Sequence, residues 1–162
     1  MADGNPDDID TSDTSDDGKV VRGIRFVPAD PQAIFDLLAD PAQHATIDGS
    51  GSVQASNEDS PARLEMGAKF GMSMKIGVPY KMTNTVVEFD EPSLIGWTHV
   101  GGHIWRYRLR PVDGGTEVTE EFDMRPVKGA FLLKATGAPK RNAKAIEATL
   151  DRLAEHFRST PT

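Results

Sequence analysis

The chain has no cysteine, which excludes disulfides, thiolate metal sites and cysteine nucleophiles at the outset. No apolar run approaches the ~20 residues that span a bilayer, and the first residues show neither the basic start nor the apolar centre of a signal peptide. The expectation is a soluble, cytoplasmic protein without stable membrane insertion. Basic excess is also missing. The formal charge is −7, and seven acids (Asp3, Asp7, Asp8, Asp10, Asp13, Asp16, Asp17) lie in residues 1–18, which contain no Lys or Arg. The rest balances 18 acids against 18 bases, and a neutral body gives no electrostatic case for binding nucleic acid. Absent too are a phosphate loop, a dinucleotide fingerprint, a metalloprotease helix motif and a nucleophile elbow. Neither a metal nor a cofactor is expected.

What remains suits one globular domain with a real core: 162 residues, 38% of them hydrophobic. Residues 1–18 have almost no large apolar groups and repel themselves, so they read as a disordered acidic tail, solubilising or interacting. Residues 19–160 read as the folded domain.

That domain is organised around its last helix, expected over Pro139 to Arg158. Proline suits a first helical position, because its fixed φ fits there and its missing N–H is not needed. Ile146, Leu150, Leu153 and Phe157 then recur at helical spacing as one apolar stripe, with Ala143 a turn before them. Most of the chain before it alternates as β-strands. Lys19 to Val27 is the first. Asp30-Pro31 and Asp40-Pro41 each give a cap followed by a first-turn proline, predicting two short helices through Leu38 and Ile47. Six strands follow, near 52–55, 68–76, 80–89, 94–99, 103–110 and 116–124. Gly77-Val78-Pro79 and Asp113-Gly114 are expected as turns. In the strand at 80–89, Thr83, Thr85, Val87 and Phe89 share a phase.

Side-chain phase predicts register. With Asp113 and Gly114 at the turn centre, Leu109 meets Val118, Tyr107 meets Glu120 and Trp105 meets Phe122 on the inner face. Arg106 and Arg110 meet Glu121 and Glu117 on the wet face. A three-residue Val100-Gly101-Gly102 loop puts Trp97 opposite Trp105 and His99 opposite His103. A two-residue loop would turn Trp97 outward, and the longer one is preferred because it buries both indoles.

A seven-stranded sheet at ~4.8 Å per strand is about three times wider than a helix of about 10 Å. The apolar concavity left over is either packed solid or a ligand pocket. Its expected lining is Phe70, Met72, Met74, Trp97, Trp105, Tyr107 and Phe122, with Ala143, Ile146 and Leu150 from the helix. Methionine and aromatic side chains suit an adaptable apolar pocket. Among polar groups, Glu120 facing inward would have a raised pKa and could exchange protons, with Tyr107 beside it; near the sheet rim it would instead be hydrated or bonded to Tyr107. His99 and His103 could polarise a ligand carbonyl or bind a metal, but two histidines at a hairpin end without a third ligand read more simply as rim residues. His44 and Asp48, one turn apart, could flank an entrance or simply bond locally. His156 reads as solvated.

The chain resembles the START-like, or SRPBCC, superfamily of helix-grip proteins, which includes birch-pollen-allergen-like proteins and bacterial polyketide cyclase/dehydrase-type members. The resemblance rests on Val27-Pro28-Ala29-Asp30-Pro31 with Ile34-Phe35-Asp36-Leu37-Leu38, on Asp40-Pro41-Ala42-Gln43-His44, and on Ile95-Gly96-Trp97. It continues through Trp105 to Pro111, Gly114 to Glu120 and the terminal helix. It implies an α+β helix-grip fold: a seven-stranded curved antiparallel sheet, two short helices and a long C-terminal helix enclosing a hydrophobic cavity. It also implies binding or transport of a hydrophobic small molecule such as a lipid, sterol-like compound or polyketide. A second reading is a polyketide cyclase, aromatase or dehydratase with Glu120, Tyr107 and His103 as acid/base groups. A third is a protein-partner module of the chaperone-activator kind, which would show an exposed apolar patch on the convex sheet. Ribonuclease-like activity fits least, given the neutral body. No oligomeric state is specified, and a monomer suffices.

Overall fold

The computed structural model describes residues 18–160, so the acidic-tail expectation lies, apart from Gly18, outside the described residues. The order of elements is β1 (Val20–Val27), α1 (Pro31–Leu38), a 3-10 turn (Pro41–Gln43), α2 (His44–Ile47), β2 (Val53–Ser56), β3 (Lys69–Ile76), β4 (Val78–Asp90), β5 (Leu94–Thr98), β6 (Ile104–Val112), β7 (Gly115–Asp123), α3 (Ala130–Ala135) and α4 (Ala138–Ser159). The seven strands form one antiparallel sheet in the order β1-β7-β6-β5-β4-β3-β2. The first and last strands are neighbours in the sheet, because β1 pairs with β7. The fold is α+β, a helix-grip arrangement with α4 laid across one part of the concave face.

The two short helices begin where their caps require. Asp30 accepts from the Gln32 amide at 2.8 Å and Asp40 from the Ala42 amide at 2.9 Å, each followed by proline. Ile34, Phe35, Leu37 and Leu38 of α1 are buried. Register across β5, β6 and β7 is the one that side-chain phase requires: Trp97 pairs with Trp105, Tyr107 with Glu120 and Trp105 with Phe122.

Four local expectations are corrected. Residues 77–79 are not a three-residue turn. Ile76 pairs with Val78, and Gly77 alone reverses the chain at φ 72°, a left-handed conformation that glycine adopts without strain. Pro79 is tolerated in β4 because that stretch pairs only with β3. In β4, Thr83, Thr85, Val87 and Phe89 do not share one face. A register shift between Val86 and Glu88 inserts one residue, so Asn84 and Val86 are buried while Thr83 and Val87 are exposed. Phe89 then returns inward against Phe35, at 5.3 Å between ring centroids. Helix α3 was not expected. It starts at left-handed Gly129 without a side-chain cap, and Phe131 and Leu132 remain exposed, so it carries neither a start signal nor a core-facing stripe.

The fourth correction concerns the outer face of β6. Arg110 and Glu117 form the exposed pair expected there, but Arg106 is buried. Its guanidinium makes two bonds to Glu88, at 2.7 and 2.8 Å, and one each to Glu121 at 2.9 Å and Asp123 at 2.8 Å. Gly96 makes room for this network, since a Cβ there would stand 2.8 Å from a Glu88 carboxylate oxygen.

Helix α4 packs chiefly on β1. Its stripe of Ile146, Leu150 and Leu153 is fully buried, and Gly23 of β1 permits the approach. A Cβ at Gly23 would lie 2.5 Å from Ile146 Cγ2 and 3.0 Å from Leu150 Cδ1. With α4 seated over that edge, the concave surface of β3 to β6 is covered only in part, by α1 against β6 and β4 and by His44 of α2 against Trp97.

Candidate functional site

That partly covered surface encloses a cavity of about 720 Å³, within the ~300–1,000 Å³ usual for small-molecule sites. Phe70, Met72 and Met74 of β3, Trp97 of β5, Trp105 and Tyr107 of β6, and Glu120 and Phe122 of β7 all line it, as do His99 and His103. Seven of the expected apolar residues and all three expected acid/base groups therefore share one hollow. Ala143, Ile146 and Leu150 do not line it. The helix stripe is spent on β1, and a neighbouring face of α4, through Ala138, Arg141, Asn142, Ala145 and Thr149, meets the cavity instead. Met82 and Asn84 were also missed, because the register shift in β4 conceals their phase.

One wall is aromatic. His44 stacks on Trp97 at 5.0 Å and 20°, Phe70 meets Trp97 edge-on at 5.5 Å, and Tyr107 lies 5.8 Å from Trp97. His44 Nε2 donates to the Leu38 carbonyl at 2.8 Å, which fixes the proton on Nε2 in the neutral ring. Burial lowers its pKa, so the ring is neutral and built into the wall. Asp48 lines the cavity but spends its carboxylate locally, on the Ser50 hydroxyl and the amides of Ser50 and Val53. His156 is half-buried beside Phe157, 5.1 Å between ring centroids.

The polar centre of the cavity is Glu120, fully buried on β7 opposite Tyr107. Its Oε1 accepts from Trp105 Nε1 at 2.7 Å and from the Tyr107 hydroxyl at 2.8 Å, while its Oε2 has no partner. Burial pushes the carboxyl up to about 8, against the pull of those two hydrogen bonds; the negative charges of Asp48 and Glu147 add to the rise. At neutral pH the group is therefore mostly a carboxylic acid. An indole N–H only donates, so Oε1 is the acceptor and the acid proton sits on Oε2. Tyr107 is held in its phenol form by burial and by Glu120.

His103 is the second polar group. Burial, reinforced by the charge of His99, lowers it to about 4, so it is neutral, and its Nδ1 is buried without a partner. Its ring lies 4.1 Å from His99 and 4.6 Å from Phe122. Among the described residues, no group of three or more His, Cys, Asp or Glu is placed to hold a metal ion. Nor is any helix there long and apolar enough to cross a membrane.

Residues 19–158 match the family described as polyketide cyclase / dehydrase and lipid transport. The chain belongs to that family. It is 37% identical over 146 residues to the uncharacterized protein Rv0088 of Mycobacterium tuberculosis, covering 86% of this chain and 64% of that protein. It thus spans a little under two thirds of the relative's length. The fold recurs in a crystal structure from Rhodobacter sphaeroides (TM-score 0.68, 18% identity, 88% of this chain and 94% of that one). It recurs also in an AHSA1-like protein of Aeromonas hydrophila (TM-score 0.60, 16% identity, 88% of this chain and 98% of that one). A START-like family member with a ligand-binding fold is thereby established.

Proposed function

We propose that the protein binds or carries a hydrophobic small molecule, of the lipid, sterol-like or polyketide kind, that bears at least one hydrogen-bond-accepting oxygen. The observation that carries this reading is Glu120: an apolar cavity wall contains a carboxyl group whose Oε2 lacks a partner. A buried polar group left unbonded costs about 1–3 kcal/mol, and a ligand carbonyl or ether oxygen would recover that cost. The aromatic wall and Met72, Met74 and Met82 supply adaptable apolar contact for the rest of the molecule.

The test is native mass spectrometry of the full chain purified from its own host, followed by solvent extraction. A 1:1 adduct that extracts as an oxygenated apolar compound is expected, retained in Glu120→Gln, whose amide N–H still donates, and weakened in Glu120→Leu. A chain that carries nothing and takes up no lipid extract contradicts the reading.

A second reading is acid/base catalysis on such a ligand. It is favoured by one observation, the raised pKa of Glu120 beside Tyr107. In it, Glu120 protonates a ligand carbonyl oxygen and neutral His103 accepts a proton from carbon or hydroxyl. Turnover abolished in Glu120→Gln with binding retained would select this reading over carriage. The protein-partner reading has less support, because the cavity is a void and the outer face around Arg106 carries an ion network rather than an apolar patch.

A further inference from the structure

The bases are not spread evenly. Eight of the 18, and none of the 25 acids, fall in two stretches: Lys69, Lys75 and Lys81 within residues 69–87, and Lys128, Lys134, Lys140, Arg141 and Lys144 within residues 126–146. The first stretch is the β3–β4 hairpin and the second is α3 with the start of α4. They form two lips of the same cavity, which Lys75 and Ile76 line from the hairpin and Leu133, Arg141 and Lys144 from the helices.

Both lips also expose large apolar side chains. On the hairpin, Ile76 is 61%, Val78 73% and Tyr80 41% exposed; on α3, Phe131 is 70% and Leu132 62% exposed. On the sheet face, by contrast, Arg22, Arg25, Arg106 and Arg110 all have carboxylate partners. On the lips, Lys75, Lys81, Lys128, Lys140, Arg141 and Lys144 form no ion pair among the described residues.

We propose that these two lips form a docking face for an anionic lipid surface. Aliphatic and aromatic tips flanked by unmatched lysines suit the boundary between headgroups and acyl chains, where the tips enter and the ammonium groups meet phosphates. A second copy is disfavoured as occupant, because joining two such faces would set bases against bases. Docking would bring the cavity mouth against the bilayer, so that an apolar cargo need not cross water. The docking itself does not depend on what the cargo is.

The experiment is co-sedimentation of the full chain with vesicles of phosphatidylcholine alone and with about one third phosphatidylglycerol. Binding to the anionic vesicles is expected, falling steeply with salt. In the triple variant Lys81→Gln, Lys128→Gln, Lys140→Gln, whose side chains lie outside the cavity lining, it should weaken on the order of 100-fold. Because the chain has no cysteine, Val78→Cys carries a single polarity-sensitive label, expected to shift to the blue on anionic vesicles. Equal binding to both vesicle types, no binding to either, or an unshifted label overturns the proposal, as does a dimer in sedimentation velocity that hides the label. Uptake of the apolar dye N-phenyl-1-naphthylamine by the triple variant shows separately whether the cavity still loads, so failure of docking and failure of carriage are distinguishable.

Discussion

Tyr107 and Glu120 face each other across the β6–β7 pair, and the phenol donates to Glu120 Oε1 at 2.8 Å in a fully buried setting. Trp105 donates to the same oxygen. Both donors thus serve one oxygen, and the other has no hydrogen-bond partner among the described residues.

Glu120 makes stability depend on pH in a direction opposite to that of a salt-bridged acid. Its folded-state pKa is raised from 4.5 to about 8, so above pH 4.5 the unfolded chain ionises while the folded chain resists. Stability from this group is full below about 4.5 and is lost as pH rises towards 8. Urea denaturation at pH 5 and pH 9 should show the wild type losing on the order of a few kcal/mol more than Glu120→Gln across that window. Parallel profiles for the two proteins would mean that Glu120 is not perturbed.

Tyr107→Phe removes one of the two donors to Oε1 and leaves the ring in place. A cost of about 1–2 kcal/mol is expected. The titration of Glu120 should also move further upward, because the lost bond was holding it down. Carboxyl-stretch infrared spectroscopy as a function of pH reads this directly.

Register between β5, β6 and β7 was legible because aromatic and charged residues alternate strictly there, and a slip of one would have put Trp105 beside the arginines. Caps at Asp30 and Asp40 were equally plain. The cavity was legible as a surplus of sheet over helix, but its helical wall was not. The strongest apolar stripe marks where α4 packs tightest, on Gly23, so Ile146 and Leu150 are core and the mixed face of Asn142, Ala145 and Thr149 meets the cavity. Met82 and Asn84 were hidden by one inserted residue in β4. Burial of Arg106 was not readable either, because it depends on Glu88 reaching across Gly96 from another strand.

Gly23→Val places a side chain where Ile146 and Leu150 already stand. Overpacking of this kind costs about 1–3 kcal/mol, and it should lift α4 from β1. Thermal melting should fall accordingly, and hydrogen exchange in residues 138–159 should quicken more than exchange in β6. Unchanged protection in α4 would show that the helix is held by other contacts.

Arg106→Ala leaves Glu121 and Asp123 buried without their shared cation, a change expected to cost about 3–5 kcal/mol. The network also sets the acid limit. Burial alone would raise Asp123, but hydrogen bonds from Arg125 and Arg106 hold it at about 2. Its contribution is therefore present above pH 3.8 and lost as pH falls towards 2. Acid unfolding monitored by circular dichroism should begin at higher pH in Arg106→Ala than in the wild type, and coincident curves would remove the network from the acid response.

Trp97 and Trp105 both line the cavity and are the only tryptophans of the chain, so occupancy can be read without a label. Titration of the full chain with N-phenyl-1-naphthylamine, following indole quenching and dye emission together, tests carriage most directly. Saturable uptake of one dye per chain, displaced by lipid extracted from the host, is predicted. Dye emission that rises without saturating, with the indoles unaffected, would contradict an internal binding cavity.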